Sequence, residues 1–369
     1  MKKVLVVVGT RPEAIKMAPV VLRLRDEPGV ETIVCATAQH RDLLDSAMGL
    51  FGIRPDFDLD LMRPNQTPSA VAAGVLRAFD ESLGRISPDV VLVQGDTTTV
   101  MAASLACFHR GVPVGHVEAG LRTANLRNPF PEEMNRRVTD LVSEFHFAPT
   151  PRSAAALARE GVDPAGIHVT GNTVVDALQW LAGRSPAPEG FGGRDLVLIT
   201  SHRRESFGEP MVRSFRAIAR LAREFPGTRF VFPVHPNPNV LEAVRVFEGV
   251  ENVELHPPVD YGLLVSWMKE ARIILTDSGG IQEEAPTFGK PTLVLRETTE
   301  RPEGVESGVA RLVGTDEEKI YREARTLLTD PEAYAAMSRR GNPYGDGRAA
   351  ERIVSILVGR SVEPFSPAE

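Results

Sequence analysis

The chain has 369 residues, which is enough for two domains of ordinary size, each with its own hydrophobic core. Hydrophobic residues make up 42% of it and charged residues 25%, a composition typical of soluble globular proteins. The net charge of −7 argues against a nucleic-acid-binding protein, although a local basic patch could still hold a phosphorylated small molecule.

The first residues, "MKKVLVVVGTRPE", predict a β-strand, because they contain no small-residue cleavage site and their apolar run is too short for a signal peptide. No apolar stretch of the chain is long enough to span a bilayer. The two cysteines, Cys35 and Cys107, each lie in an apolar run. This predicts a buried, reduced pair in a cytoplasmic protein rather than a disulfide or a metal site.

Short β-branched runs alternate with longer amphipathic segments through the first half of the chain. The strand-like runs are "KVLVVV", "ETIVCAT", "DVVLVQ" and "VPVGHVE". Helical patterns such as "PEAIKMAPVVLRLRDE" and "TPSAVAAGVLRAFDESLGRI" separate them, and the rhythm continues to about "GNTVVDALQWLAG". This alternation is typical of βαβ units and a parallel sheet.

A second half of the same kind follows a stretch rich in proline and glycine, from Arg184 to Arg194, which predicts a linker. Its strand-like runs are "DLVLIT", "TRFVFPV", "ARIILT", "KPTLVL" and "VARLVG". We therefore expect two doubly wound α/β domains, over 1–172 and 173–349, with a C-terminal helix at about 350–369 packing back on the first. Ligands of such sheets bind beyond the carboxyl ends of the strands, so we expect the active site in the interdomain cleft.

Polar residues gather at six of these strand ends. The first half offers the carboxylates Asp96, Glu118, Glu132 and Glu133, with Arg11 and Lys16 in the first turn and helix. The second half offers His202, Arg203, Arg204, Glu205 and His235. Each group also has a purely structural interpretation: Asp96 as a helix cap, "HRRE" as a surface cap, "PEE" as an ordinary helix start, and His235 as a core histidine.

The stretch "TDSGGIQEE" follows the strand "ARIILT" and predicts an anion site. Gly279 and Gly280 remove side chains where the backbone turns from strand to helix, which exposes amide N–H groups at the helix start. Glu283 and Glu284 lie one turn further on and would repel a bare phosphate. A ligand with both phosphate and hydroxyl groups, such as a nucleotide or a sugar nucleotide, satisfies both features.

Several common motifs are absent. No G-x-G-x-x-G follows a strand, which argues against a tightly bound NAD, and there is no Walker A loop or G-x-S-x-G elbow. The histidines show no metal-ligand spacing, so we expect neither a cofactor nor a metal.

Eleven motifs occurring in order resemble the non-hydrolysing UDP-N-acetylglucosamine 2-epimerases of bacteria. They are "GTRPEAIKMAP", "QGDTTT", "HVEAGLRT", "PFPEEMNR", "VTGNTVVDAL", "SHRRESFG", "PVHPNPNV", "TDSGGIQEEAP", "RETTERPE", "RLVGTD" and "NPYGDG". The resemblance implies two Rossmann-like domains in the glycosyltransferase B-type (GT-B) fold, a homodimer, and interconversion of UDP-N-acetylglucosamine (UDP-GlcNAc) and UDP-N-acetylmannosamine (UDP-ManNAc). It also implies that the product supplies N-acetylmannosamine units for cell-surface polysaccharide.

The resemblance also implies roles for individual residues. The catalytic candidates are Asp96, Glu118, Glu132 and His202. The substrate-binding candidates are Ser278, Gly279 and Gly280 on the diphosphate, Glu284 on the ribose, and Arg11, Lys16 and Arg301 on the nucleotide or its phosphates. His202 is the only one of the four catalytic candidates that can be cationic near neutral pH, so we expect it at the leaving diphosphate.

The chemistry expected without NAD is an elimination. The C2 proton of the sugar is not acidic, so UDP leaves C1 while C2 loses its proton, giving 2-acetamidoglucal. UDP then adds back and C2 is protonated from the other face. The alternatives are a hydrolysing epimerase, a glycosyltransferase of the same fold and a non-catalytic UDP-sugar sensor.

Some positions depart from relatives. Val259 and Leu264 stand near the expected uracil site, where some members have Gln and Phe. Gln39 and His235 match a pocket that binds a second, activating UDP-GlcNAc in some members, whereas Asp42 and Asn65 replace residues used there.

Overall fold

The computed structural model describes residues 1–37, 41–61, 63, 66–123, 125–184 and 195–367. They form two compact units, Met1–Trp180 with Gly345–Ser366, and Leu181–Tyr344. In the described residues each unit is built on one parallel sheet, so the prediction of two doubly wound α/β domains is confirmed. The predicted linker lies, apart from Arg184, outside the described residues. None of the helices described is both long and apolar enough to cross a membrane.

The first unit has a seven-stranded parallel sheet in the order β3-β2-β1-β4-β5-β6-β7. Its strands are β1 Lys2–Val8, β2 Val30–Ala36, β3 Phe57–Asp58, β4 Val90–Gln94, β5 Val114–Val117, β6 Phe145–Ala148 and β7 Ile167–Val169. Its helices are α1 Arg11–Arg25, α2 Arg41–Leu50, α3 Pro68–Ile86, α4 Thr98–His109, α5 Glu132–Val142, α6 Pro151–Arg159 and α7 Thr173–Ala182, with a 3₁₀ turn at Pro164–Gly166.

The centre of this sheet is buried on both faces, which explains why its strands are continuous apolar runs. Val4 to Val8 of β1 and Val90 to Val93 of β4 are all at most 2% exposed. Phe79 of α3 packs in the same core as Cys35 and Cys107, which are both buried free thiols. Burial raises the pKa of both cysteines.

The second unit has a six-stranded parallel sheet in the order β10-β9-β8-β11-β12-β13. Its strands are β8 Leu196–Thr200, β9 Arg229–Pro233, β10 Val253–His256, β11 Ile273–Thr276, β12 Thr292–Val294 and β13 Ala310–Leu312. Its helices are α8 Glu209–Glu224, α9 Pro238–Ala243, α10 Tyr261–Glu270, α11 Gly279–Glu284, α12 Pro302–Glu306, α13 Glu317–Thr329 and α14 Pro331–Ser338. Its 3₁₀ turns are Arg204–Ser206, Val244–Phe247 and Ala285–Phe288. In its core, the rings of Phe215 and Phe232 meet edge to face at 5.4 Å.

The structure divides the chain within α7, whereas the sequence suggested a boundary before it at 172/173. Val174, Val175 and Leu178 of this helix are buried. Asp176 accepts hydrogen bonds from the backbone N–H groups of Ala349 (3.2 Å) and Ala350 (2.8 Å), and burial raises its pKa to about 6. Because Asp176 satisfies free N–H groups at the start of the last helix, most of α7 stays with the first unit.

The C-terminal segment joins the first unit from Gly345 onward and contains α15, Ala349–Leu357. This helix packs against α1. Beyond it, Arg360 forms an ion pair with Glu27, and the backbone N–H of Phe365 donates to Val169 O at 2.8 Å. The last described residues are therefore tied to the turn after α1 and to the edge strand β7.

Candidate active site

Three loops of the first unit carry its catalytic candidates. Strands β1, β4 and β5 are neighbours in the sheet, and all run in the same direction. The loops that follow them, containing Arg11, Asp96 and Glu118, therefore emerge side by side at the carboxyl edge of the sheet. Helix α5, which carries Glu132, packs against α4 and β5 next to these loops.

Glu118 has a left-handed backbone conformation, with a φ of 66°, which is costly for a residue with a side chain. Its carboxylate is buried and lies 2.6 Å from the Lys16 ammonium. Gln94 at the end of β4 donates to the same oxygen, Oε2. Lys16, which the resemblance assigns to the nucleotide, is thus in direct contact with a catalytic candidate.

Asp96 is fixed by two residues of α5. Arg136 forms an ion pair with its side chain, and the Asn135 amide donates to its backbone oxygen at 2.9 Å. The N-cap of α4 is Thr97, whose hydroxyl accepts from Val100 N at 3.2 Å. The capping alternative for Asp96 is therefore wrong, since its neighbour occupies that position.

The adjacent acids Glu132 and Glu133 differ sharply in environment. Glu133 is fully buried and ion-paired with Arg136 (3.0 Å) and Arg137 (3.1 Å), and it also accepts from Thr123 N. Glu132 has a buried carboxylate oxygen, Oε2, without a hydrogen-bond partner among the described residues. Glu133 therefore serves the packing of α5, whereas Glu132 retains capacity to accept or hold a proton.

Arg11 is the exposed first residue of α1. The helix start is closed by a capping box between Thr10 and Glu13. Glu13 also accepts from Gly9 N at 2.6 Å, and burial raises its pKa to about 7 despite these hydrogen bonds.

In the second unit, Asp277 organises the loop that carries His202. It is fully buried and follows β11. Its Oδ2 accepts from Ser201 Oγ (2.8 Å) and from the backbone N–H groups of His202 and Arg203 (2.9 Å each). Its Oδ1 lies 3.5 Å from His202 Nδ1. Asp277 is not among the residues predicted from the sequence, although an acid immediately before Ser-Gly-Gly is a usable signal.

His202, which can be cationic near neutral pH, has surroundings that disfavour its charged form in the unliganded protein. Burial lowers the pKa of His202, and the charges of Arg203 and His235 lower it further, while Asp277 partly opposes the shift. The His235 ring stacks on that of His202 at 5.8 Å. Without substrate, His202 is therefore predominantly neutral at neutral pH.

Ser278, Gly279 and Gly280 form the start of α11. The Ser278 side chain makes no capping hydrogen bond, so its hydroxyl is not engaged at the helix terminus. A Cβ on Gly279 would lie 3.2 Å from Glu300 Oε1, whereas one on Gly280 would meet nothing closer than Glu284 Oε1 at 3.5 Å. Gly280 is therefore not required by contacts within the unit, and its missing side chain leaves the helix start open.

Arg301 lies beside the same helix. Its guanidinium forms an ion pair with the buried Glu283, and its backbone oxygen accepts from the Tyr344 hydroxyl at 3.2 Å. Glu284, the neighbour of Glu283, is only partly buried. The two glutamates are thus distinguished: Glu283 is buried and pairs with Arg301, and Glu284 is the more accessible of the two.

The remaining expected positions can be placed only in part. Val259 and Leu264 are partly exposed, the latter on α10. Gln39 and Asn65 lie outside the described residues, as does the side chain of Asp42. Among the residues described, no group of three or more His, Cys, Asp or Glu is arranged to hold a metal ion.

Each unit thus presents charged groups at the carboxyl ends of parallel strands, where α/β proteins hold nucleotide-type ligands, and the second unit adds the uncapped helix start at Ser278. These features define an α/β protein of the nucleotide-ligand-binding class.

Comparisons with known proteins make the assignment specific. Residues 2–358 match the model of the UDP-N-acetylglucosamine 2-epimerase family. The chain is 50% identical to UDP-N-acetylglucosamine 2-epimerases of Bacillus subtilis (96% of this chain, 95% of the relative) and Yersinia pestis (98% and 99%). The structure of the Neisseria meningitidis UDP-GlcNAc 2-epimerase bound to UDP-GlcNAc is 46% identical, with a TM-score of 0.88 over 96% of this chain and 99% of that one. The chain belongs to the UDP-N-acetylglucosamine 2-epimerase family and has its GT-B-like fold, which confirms the resemblance.

Proposed function

We propose that this chain interconverts UDP-GlcNAc and UDP-ManNAc reversibly, without NAD or metal and without hydrolysis, by eliminating UDP and adding it back. A carboxylate takes the C2 proton, the C2–H electron pair forms the C1=C2 bond, and the C1–O bond breaks with its electrons leaving on UDP. The intermediate is 2-acetamidoglucal. In the second step a UDP oxygen bonds to C1, and C2 takes a proton on the opposite face.

The observation that carries this proposal is the state of Glu132. Its Oε2 is buried but has no hydrogen-bond partner among the described residues, while the adjacent Glu133 is fully engaged by two arginines. A buried acceptor without a partner is costly unless a ligand supplies one. Asp96 and Glu118 are held by cations at neighbouring strand ends, which supports a shared role of the three carboxylates in proton removal and return.

We assign the leaving group to the second unit. Ser278, Gly279 and Gly280 bind the diphosphate, Glu284 binds the ribose hydroxyls, and His202 faces the departing phosphate. The anionic diphosphate raises the pKa of His202, which is lowered in the unliganded protein, and so promotes the protonated form where charge develops. That residues of both units act on one substrate is part of the proposal.

Arg11, Lys16 and Arg301 complete the nucleotide site in this proposal. For Lys16 and Arg301 the assignment has to accommodate their ion pairs with Glu118 and Glu283. Because Lys16 contacts Glu118 directly, departure or arrival of a phosphate at Lys16 would change the charge next to the carboxylate. This contact supports a link between leaving-group expulsion and proton transfer.

The test is a proton NMR time course of UDP-GlcNAc with the protein in deuterated water, without added NAD or metal. The expected result is UDP-ManNAc that carries deuterium at C2 and in which C1 of the sugar is still bonded to UDP. Accumulation of free N-acetylmannosamine and UDP would favour the hydrolysing alternative. Retention of the C2 proton in the product would refute the elimination.

We also propose that the protein is a cytoplasmic homodimer whose product supplies N-acetylmannosamine units for cell-surface polysaccharide. The support for a dimer is a set of exposed apolar side chains on the packed helices α4 and α5 and in the loop before α5. They are Phe108, Phe130 and Leu141, which are 60%, 70% and 82% exposed. A twofold axis at this side of the unit would cover them with a second copy.

A further inference from the structure

The candidate for a further role is His116, a fully buried residue of β5 two positions before Glu118. Its Nδ1 lies 2.6 Å from Asp140 Oδ1 on α5. Its Nε2 lies 2.8 Å from the backbone oxygen of Gly95, the residue immediately before Asp96. The ring therefore bridges helix α5 and the loop after β4.

Both partners of the ring are acceptors. An ionised carboxylate has no proton to donate, and a backbone carbonyl oxygen only accepts. A neutral imidazole has one N–H and one lone pair, so either tautomer would direct its lone pair at an oxygen. Both contacts are satisfied only when both ring nitrogens of His116 carry protons.

The surroundings balance the resulting positive charge. Asp140 is buried and also forms an ion pair with Arg122 at 2.7 Å, which in turn pairs with Glu160. Burial would raise the pKa of Asp140, but the nearby charges of His116 and Arg122 outweigh this effect and lower it. Cations and anions thus alternate through this cluster, so a protonated His116 is not an isolated buried charge.

Gly95, the residue that His116 contacts, has a backbone conformation that favours glycine. Gly95 has a φ of 82°, in the left-handed region, and its N–H donates to Val117 O at 3.1 Å. The carbonyl oxygen of Gly95 accepts from His116, so β5 holds Gly95 through both its N–H and its carbonyl group. Asp96 follows directly, and its own backbone oxygen accepts from Asn135.

We propose that His116 is a positioning residue that donates from both ring nitrogens, which locks the Gly95 turn to α5 and thereby fixes Asp96 relative to Glu118. The inference rests on the proposed role of Asp96 in proton transfer. His116 itself touches neither substrate nor reacting atoms. Its loss should therefore affect the rate of the chemical step more than substrate binding.

The first test is direct observation of the ring protons by NMR on protein labelled with ¹⁵N-histidine, with a His116→Gln variant to assign the signal. We expect both nitrogens of His116 to carry protons at neutral pH, because each faces an acceptor. His146 on the neighbouring strand is the internal control. Its Nε2 lies 2.8 Å from Asp140 O, while its Nδ1 is buried without a partner among the described residues, so we expect one proton only. An unprotonated nitrogen in His116 near neutral pH would overturn the inference.

The second test is kinetic. His116→Gln can donate to only one of the two acceptors, and we expect kcat to fall by about ten- to a hundredfold while KM changes less than about twofold. The matched control is His146→Gln, which alters a buried histidine that contacts the same helix but not Gly95. We expect it to keep kcat within about threefold. Equal losses in the two variants, or an unchanged kcat in His116→Gln, would contradict the proposal.

A third variant separates positioning from stability. In Asp140→Asn, the amide N–H can donate to Nδ1, so a neutral His116 can still donate from Nε2 to Gly95. We expect this variant to unfold at lower urea concentration than His116→Gln, because Arg122 loses the charge of its buried partner, yet to retain more of kcat. A lower kcat in Asp140→Asn than in His116→Gln would overturn the inference.

Failure of the proposed function would be seen differently. An Asp96→Asn variant that keeps its activity would refute the role of Asp96, whereas the NMR signals of His116 would be unaffected because they do not depend on catalysis.

Discussion

Replacing Asp277 by asparagine removes one charge from a fully buried site without changing its shape. Three donors converge on its Oδ2: the Ser201 hydroxyl and the backbone N–H groups of His202 and Arg203, at 2.8, 2.9 and 2.9 Å. Hydrogen bonds to a charged acceptor contribute about 1 kcal/mol more than those to a neutral one. We therefore expect Asp277→Asn to lower the free energy of unfolding by about 3 kcal/mol.

The same substitution has a second, independent consequence at His202. The Asp277 carboxylate opposes the lowering of the His202 pKa, which arises from burial and from the charges of Arg203 and His235. Without the carboxylate the pKa of His202 should fall further below its ordinary value. At neutral pH the variant should therefore bind UDP less tightly, because less of His202 can become protonated.

Urea unfolding measures the first effect, and NMR titration of the His202 ring protons measures the second. The control is Asp316→Asn, which alters an exposed N-cap of α13 that accepts from Lys319 N at 2.8 Å. Asparagine caps helices about as well as aspartate, so this control should be nearly neutral. A His202 titration midpoint that stays constant or rises in Asp277→Asn would refute the assignment of Asp277 as its orienting group.

Four further predictions concern the site and the assembly. Glu132→Gln should lower kcat by about a hundredfold with UDP affinity retained, whereas Glu133→Gln should mainly lower the urea midpoint; near-parent turnover in Glu132→Gln would exclude it as an acid/base. Ser278→Asp should weaken UDP binding measured by calorimetry, and unchanged affinity would locate the diphosphate elsewhere. Because burial raises the Glu13 pKa from 4.5 to about 7, the folded state binds this proton more tightly, so stability should fall by about 3 kcal/mol as pH rises across that range. Glu13→Gln should remove this loss of stability. If the urea midpoints of the parent protein and of Glu13→Gln depend on pH in the same way, the prediction is wrong. Leu141→Glu, at a position 82% exposed, should yield monomers in analytical ultracentrifugation, and an unchanged sedimentation coefficient would argue against the α4–α5 face as the dimer contact.

The order of strand-like and helical segments in the sequence was sufficient to predict the α/β architecture of both units. The alternation of β-branched runs with amphipathic segments predicted two parallel sheets, because a strand buried on both faces must be apolar throughout and a crossover helix must be amphipathic. The same order placed Asp96, Glu118 and the Ser-Gly-Gly turn at strand ends. The short strands β3, β6, β7 and β10 were not anticipated, since runs of two to four residues carry little periodic signal.

Which acid is available for chemistry was decided by the tertiary structure. Glu132 and Glu133 are adjacent in the same motif, yet only Glu133 is engaged by Arg136 and Arg137. The spacing of those arginines, three and four residues along the helix, was a usable sequence signal. No such signal existed for the ion pair between Lys16 and Glu118, whose partners are 102 residues apart.

The same limit applies to His202. Its residue type allows a cation near neutral pH, but burial and two neighbouring basic side chains lower its pKa. Charge state depends on the solvent and the charges within a few ångströms, and these come from loops that only the folded sheet brings together. Sequence order therefore determined the strand ends at which the polar residues stand, while through-space distances determined which of them are paired, charged or available to a substrate.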